Sequence, residues 1–207
     1  MEVKKAVVGI LKTNCYLLIK DKAILIIDPG DEAEKISSLI YASGFLPRAI
    51  LLTHGHWDHF GASAALRDEF GVKIYVHELD RPYVNDPYEC TFKDFPFLKD
   101  YGTYVDELLT EGSMTIEEFS FEVIHTPGHS RGSCCFYFPD KKILFSGDVL
   151  FRGSIGRVDL PCSEPEKMQQ SLKKLSSLPD DVVVYPGHGM STTIEIEKQY
   201  NPYFSAL

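Results

Sequence analysis

Along the first quarter of the chain apolar residues alternate with polar ones or form short runs, and soon afterwards they take up a helical period. Residues 3–10, 15–19 and 23–27 read as strands, the last two separated by the polar turn Lys20-Asp21-Lys22, which predicts an antiparallel meander. Asp28-Pro29-Gly30 ends it as a turn. Ile36, Leu39 and Ile40 then recur at i, i+3 and i+4, giving a helix with one apolar face that Gly44 stops. A strand at 50–52 follows, then a helix over about 60–70 with Ala62, Ala65, Leu66 and Phe70 on one side, then a strand at 72–76.

Between Leu79 and Tyr104 no period holds. That stretch contains Pro82, Pro87 and Pro96 with seven aromatic residues, and reads as a long irregular excursion: a wall or lid of a site, or equally a structural flap or subunit contact. Strands resume at about 104–109, 114–119 and 121–124. A hairpin over 133–138 and 143–145 follows, then a helix from about Glu164 with Met168, Leu172, Leu175 and Leu178 in one stripe. A strand at 182–184 and a short helix from Thr193, ending before Pro202, complete the pattern. No linker or low-complexity segment interrupts it, so residues 1–207 are expected to form a single domain.

Composition narrows the function. With 21 basic and 30 acidic side chains, a net charge of −9 and no Lys/Arg cluster, nucleic acid is not an expected partner. No apolar stretch approaches membrane-spanning length, and residues 6–11 are too short a run for a signal-peptide core. Five cysteines, an odd number without zinc-ribbon spacing, fit a reducing compartment, so a cytoplasmic protein, monomer or homodimer, is expected.

The candidate chemistry starts at Thr53-His54-Gly55-His56-Trp57-Asp58-His59, where three imidazoles and a carboxylate fall within six residues after an apolar strand. These are groups that zinc and similar cations accept, and Gly55 permits the tight turn they need. The layout recurs: strands run into His129, Asp148 and His188, usually through a Gly. In layered α/β proteins ligands gather beyond strand ends, so the set should converge at one edge. Seven potential ligands exceed what one tetrahedral cation takes, which favours two cations bridged by Asp148, whose carboxylate has two oxygens. Such a pair could lower the pKa of a shared water to roughly 7 and stabilise an oxyanion.

The order His-x-His-x-Asp-His, isolated His, Asp after Gly, and final His resembles the metallo-β-lactamase superfamily signature, over residues 54 to 188. The resemblance implies an α/β fold, an αββα four-layer sandwich. It also implies His54, His56 and His129 on one metal, Asp58, His59 and His188 on the other, and Asp148 between them, with Asp58 orienting the nucleophile. Zinc is the expected metal, iron or manganese the alternatives.

Within the superfamily the stretch Gly147 to Arg157 is similar to the glyoxalase II-like group, which implies hydrolysis of a small-molecule thioester such as a hydroxyacylglutathione. Two features depart from it. Only 19 residues follow His188, where that group carries a glutathione-binding helical domain, and Arg157 stands where it has Lys. Arg157 and Arg152 are candidates for pairing with a substrate carboxylate. The rival reading, a mononuclear-iron persulfide dioxygenase, would use His54, His129 and Asp148; a lactonase or a β-lactamase is a further alternative, the latter disfavoured by the expected cytoplasmic location, and a non-catalytic metal-binding module is the last one. Asp28 is expected to cap the helix after it rather than support a ligand. His77 and His125 are expected to be structural, Trp57 to pack or line the cleft, and one of Cys134 and Cys135 to face the core. Tyr185 and Met190, beside His188, are candidates for touching substrate.

Overall fold

The nearly unbroken apolar runs of β2 (Thr13–Lys20) and β3 (Ala23–Ile27) form strands because both of their faces are covered. Leu17, Ile19, Ile24 and Ile26 point to one side, Leu18, Leu25 and Ile27 to the other. This is a computed structural model, and it describes residues 1–87, 90 and 103–204. The described residues form two six-stranded sheets and a small two-stranded one, β11 (Leu150–Phe151) with β12 (Ser154–Ile155).

The first sheet runs β1 (Glu2–Val8), β2, β3, β4 (Leu46–Leu51), β5 (Lys73–His77) and β6 (Glu107–Leu109), antiparallel to β3 and parallel from there on. The second runs in the spatial order β14 (Thr192–Thr193), β13 (Val183–Pro186), β10 (Ile143–Gly147), β9 (Cys134–Phe138), β8 (Phe119–His125) and β7 (Gly112–Ile116). Only β10 and β13 are parallel in it. Leu18, Leu51, Phe119, Phe136 and Phe145 fill the space between the sheets.

Helices α1 (Ala33–Ser43), α2 (Trp57–Phe60), α3 (Ser63–Phe70) and α4 (Arg81–Asn85) cover the outer face of the first sheet through Ile36, Ile40, Phe60, Leu66 and Val84. Helices α5 (Pro165–Ser176) and α6 (Ile194–Tyr200) cover the second through Met168, Leu172, Leu175 and Ile194. The layers are therefore αββα, as the resemblance implied. Among the described residues no helix is long and apolar enough to cross a membrane.

Three local expectations change. The helix expected from about 60 starts at Ser63, and a separate turn, α2, precedes it, because the Ala62 N–H donates to the Pro29 carbonyl (2.9 Å) instead of continuing the α2 ladder. The strand expected over 114–119 breaks at Glu117, whose left-handed φ of 49° turns the chain into β8. Cys134 and Cys135 are both fully buried, one between the sheets and one under α5, since β9 is covered on both faces. Of the aromatic excursion, Pro82 and Tyr83 lie in α4 and Tyr104 is exposed; residues 88–89 and 91–102 lie outside the described residues, so the lid-or-flap expectation falls there.

The two-sided core sets a stability contrast. Phe136→Ala should cost about 3–5 kcal/mol, whereas Ile10→Ala, at an exposed position, should stay within about 0.5 kcal/mol. Urea unfolding midpoints measure both.

Candidate metal centre

Strand ends from both sheets meet along one edge. β4 leads into His54, β8 into His129 after three residues, β10 into Asp148 and β13 into His188. His56 precedes α2, which carries Asp58 and His59 on its single turn. The structure thus brings together all seven residues expected from the sequence. Ring centroids of His54 lie 4.6 Å from His56, 4.1 Å from His59 and 4.8 Å from His129, and His59 lies 5.3 Å from His188. Four sets of potential ligands lie close together among the described residues; two of them, His54 with His56 and His129, and Asp58 with His59 and His188, are the expected groups, and the others are His56 with Cys90 and Cys162, and Asp28 with His54 and His59. Asp148 stands between the two expected groups: its Oδ1 is 3.4 Å from His59 Nε2, and its Oδ2 is 3.6 Å from His129 Nε2 and 3.5 Å from His188 Nε2.

The outer ring nitrogens show which atoms face inward. His129 Nδ1–H donates to the Arg157 carbonyl (2.8 Å) and His188 Nδ1–H to the Leu11 carbonyl (3.1 Å). His59 Nδ1–H donates to Asp28 Oδ2 (2.9 Å). Thr53 Oγ1 donates to the same carboxylate oxygen (2.6 Å), so the hydroxyl is left to accept from His54 Nδ1 (3.0 Å). In each case Nδ1 is spent, so that when the ring is neutral Nε2 is the nitrogen that carries the lone pair. The buried Nε2 atoms of His54, His59 and His129, and Asp148 Oδ1, have no hydrogen-bond partner. Buried acceptors of this kind aimed at one point are what a cation requires, and the donor set of imidazole and carboxylate fits zinc, iron or manganese. His56 is reversed: its Nε2 rests 3.2 Å from both Cys90 Sγ and Cys162 Sγ, which leaves Nδ1 as its available nitrogen.

Electrostatics divide the imidazoles. Burial, and then the neighbouring His129, push His56 down to about 3, and burial holds His54 well below its ordinary value. Burial also opposes charge on His59, but Asp58, Asp148 and Asp28 outweigh it and raise its pKa to about 9. Against the same burial, hydrogen bonds with Asp148 and Asp58 raise His188 to about 11. In turn, His59 and His188 overcome burial to draw Asp148 down to about 2 and Asp58 below the usual carboxylate range. The centre is built to hold positive charge in contact with two ionised carboxylates.

Sequence reasoning missed much of the support. Asp28 does not cap α1, whose first turn has no side-chain cap; it accepts from Thr53 N (2.8 Å), Thr53 Oγ1 and His59 Nδ1. Asp80, fully buried, accepts from Gly55 N (2.9 Å), Gly132 N (2.6 Å) and Ser130 Oγ (2.5 Å), and so ties the loop of His54 and His56 to that of His129. Gly187 is required by close approach: a Cβ there would stand 2.1 Å from Asp148 Oδ1. His188 is further held by Asn14, whose side-chain amide donates to the carbonyls of Pro186 (2.9 Å) and Gly189 (3.1 Å). The Pro-Gly-His spelling was the visible trace of this geometry.

A cavity of about 550 Å³ opens onto the centre, lined by His56, Asp58, His129, Asp148 and His188, with Ile10, Leu11, Trp57, Phe151 and Leu160 as its apolar wall. Arg157 and Cys90 also line it. The Arg157 guanidinium donates to both carboxylate oxygens of Asp159 (2.7 and 2.9 Å). Arg152 is exposed and stands off the cavity wall. Tyr185 packs on Phe145 and Tyr16 between the sheets, and Met190 projects outward, so neither lines the cavity as expected. His77 and His125 stand apart from the centre, stacked on each other at 4.2 Å.

Comparison with known proteins agrees with this geometry. The family model described as "Metallo-beta-lactamase superfamily" matches residues 8–188. The hydroxyacylglutathione hydrolase GloC of Haemophilus influenzae is 36% identical, covering 100% of this chain and 99% of its own. Among solved structures, the BLEG-1 B3 metallo-beta-lactamase superposes with a TM-score of 0.91 at 40% identity, over 99% of this chain and 100% of that one. TTHA1623 in a di-iron-bound form superposes with a TM-score of 0.88 at 40% identity, over 97% and 100%.

Two substitutions test how the centre is held. Asp28→Asn, which weakens the acceptor for His59 and Thr53, should lower metal affinity by about 10–100-fold in competition with a chromophoric chelator. Gly187→Ala should lower it at least as far while leaving the unfolding transition cooperative.

Proposed function

We infer the function from membership: this chain belongs to the metallo-beta-lactamase superfamily, and it is a metal-dependent hydrolase of thioesters of the hydroxyacylglutathione class. The observation that carries the thioester assignment is the likeness to GloC along essentially the full length of both chains. His54, His56 and His129 would hold one divalent cation, Asp58, His59 and His188 a second, and Asp148 both, with zinc the first choice of metal. When bound, such cations supply a water ionised near a pKa of roughly 7 and polarise the acyl carbonyl.

The chain's own residues do the rest. Asp58 Oδ2 accepts from the Thr13 hydroxyl (2.9 Å), which fixes the carboxylate that orients the attacking water. The apolar wall of Ile10, Leu11, Trp57, Phe151 and Leu160 takes the acyl chain and excludes bulk water from the scissile bond. Arg157, aligned by Asp159, places positive charge on the cavity wall where a substrate carboxylate can meet it. A thiolate is a good leaving group, so the site needs no dedicated acid to protonate it.

A second reading, β-lactam hydrolysis, is favoured by the 40% identity to the BLEG-1 structure. Zinc-, iron- and manganese-loaded protein, assayed on a thioester panel, a chromogenic β-lactam and glutathione persulfide with an oxygen electrode, separates the possibilities. Thioester hydrolysis with the highest kcat/KM, lost on chelation and restored by added cation, is expected. Faster β-lactam turnover would replace the assignment, and rapid oxygen uptake on persulfide would replace it with a dioxygenase. Arg157→Ala should raise KM for a carboxylate-bearing thioester by roughly tenfold with little change in kcat, as loss of one charged contact would.

A further inference from the structure

Cys90 follows α4 and Cys162 precedes α5, 72 residues later, yet their sulfurs are joined, with Cα atoms 5.2 Å apart. Both side chains are buried, in a small cluster with Tyr83. Cys90 lines the cavity, Cys162 is buried off its wall, and both sulfurs contact Nε2 of His56 at 3.2 Å. The remaining cysteines, Cys15, Cys134 and Cys135, are unpaired core residues away from the cavity. One pair of thiols is therefore both mutually bondable and reachable by a small molecule entering the site.

We propose that Cys90 and Cys162 are a reversible oxidation site, closed by a peroxide and reopened by a low-molecular-weight thiol, that controls how tightly His56 holds metal. In the closing reaction Cys90 Sγ attacks a peroxide oxygen. The O–O bond breaks, one oxygen leaves as water (or as alcohol from an organic hydroperoxide), and Cys90 becomes a sulfenic acid. Cys162 Sγ then attacks Cys90 Sγ, the S–O bond breaks, a water leaves with the thiol proton, and the S–S bond forms. Each sulfur loses one electron, and the peroxide gains two. Two external thiols reverse the change and leave as their own disulfide.

Two contacts carry the effect to the metal centre. In the dithiol the sulfurs accept the His56 Nε2–H, the support that makes the opposite nitrogen a stronger donor; a disulfide sulfur is a poorer acceptor. The bond also fastens the cavity wall at Cys90 to the turn holding His129, because Ser163, next to Cys162, donates from Oγ to the His129 carbonyl (2.8 Å). Closure therefore reaches two ligands of the same group at once, and the weakened His56 donor sets the direction of the change.

The test uses the metal-loaded full chain and does not depend on the substrate, so it stands or falls separately from thioester hydrolysis. Reduced protein is treated with one equivalent of hydrogen peroxide, alkylated, digested and mapped by mass. A Cys90–Cys162 linked peptide that forms with peroxide and disappears with glutathione is expected, with Cys15, Cys134 and Cys135 unlinked. Release of metal to a chelator should be about tenfold faster from oxidised than from reduced wild type, and equally fast from both in Cys162→Ser. No linked peptide, a different pairing, equal release rates or no metal held in either state would each overturn the proposal. Should Cys162→Ser not fold, the wild-type peptide map and release ratio decide it alone.

Discussion

The constraint on which the rest depends is the withdrawal of five imidazoles and two carboxylates to one sheet edge, most of them almost completely from water. An unpartnered buried polar atom costs on the order of 1–3 kcal/mol, and four such atoms face one another here. The fold holds those atoms in place by fixing every ring from behind. Asp28 and Thr53 hold His54 and His59, backbone carbonyls hold His129 and His188, and the sulfur pair holds His56. The ligand atoms are therefore preorganised, and binding need not order them. Asp28 itself adopts a left-handed backbone (φ 50°), a conformation unusual for a side-chain-bearing residue and found where surrounding contacts over-determine the geometry.

The seven ligands were legible because each sits immediately beyond a strand or on the first turn after one, a position that polar spelling after an apolar run marks plainly. Their supports were not. Asp28 and Thr53 are 25 residues apart, and Asp80 lies 50 from Ser130 and 52 from Gly132, so no local pattern links them. Asp28 was misread because a Pro-Gly turn before a helix is also where a cap belongs; only the fold shows the side chain turned toward Thr53. Tyr185 was misread for the opposite reason. It is three residues from His188, but strand alternation in β13 sends it between the sheets. The meeting of Cys90 and Cys162 had no sequence trace at all.

The two-layer construction was easier to read than its details. Strands such as β2, β3, β9 and β10, buried on both sides, announce themselves as solid apolar blocks. Boundaries failed where a single backbone group found a distant partner. The Ala62 N–H, captured by the Pro29 carbonyl, delays the expected helix to Ser63 and leaves α2 as a single turn before it, carrying Asp58 and His59.

The grip of the second strand on the last ligand has a consequence for how the protein comes into being. Asn14 reaches the Pro186 carbonyl across 172 positions of chain and Tyr16 donates its phenol to the same oxygen across 170, while Thr13 pairs with His188 itself. Loop closure over such spans comes late in folding. A ribosome-bound fragment that has not yet extruded β13 carries six of the seven ligands and still lacks His188, the member that completes the group of Asp58 and His59. Competence thus arrives as a single late event, when the two ends of the matched region find each other.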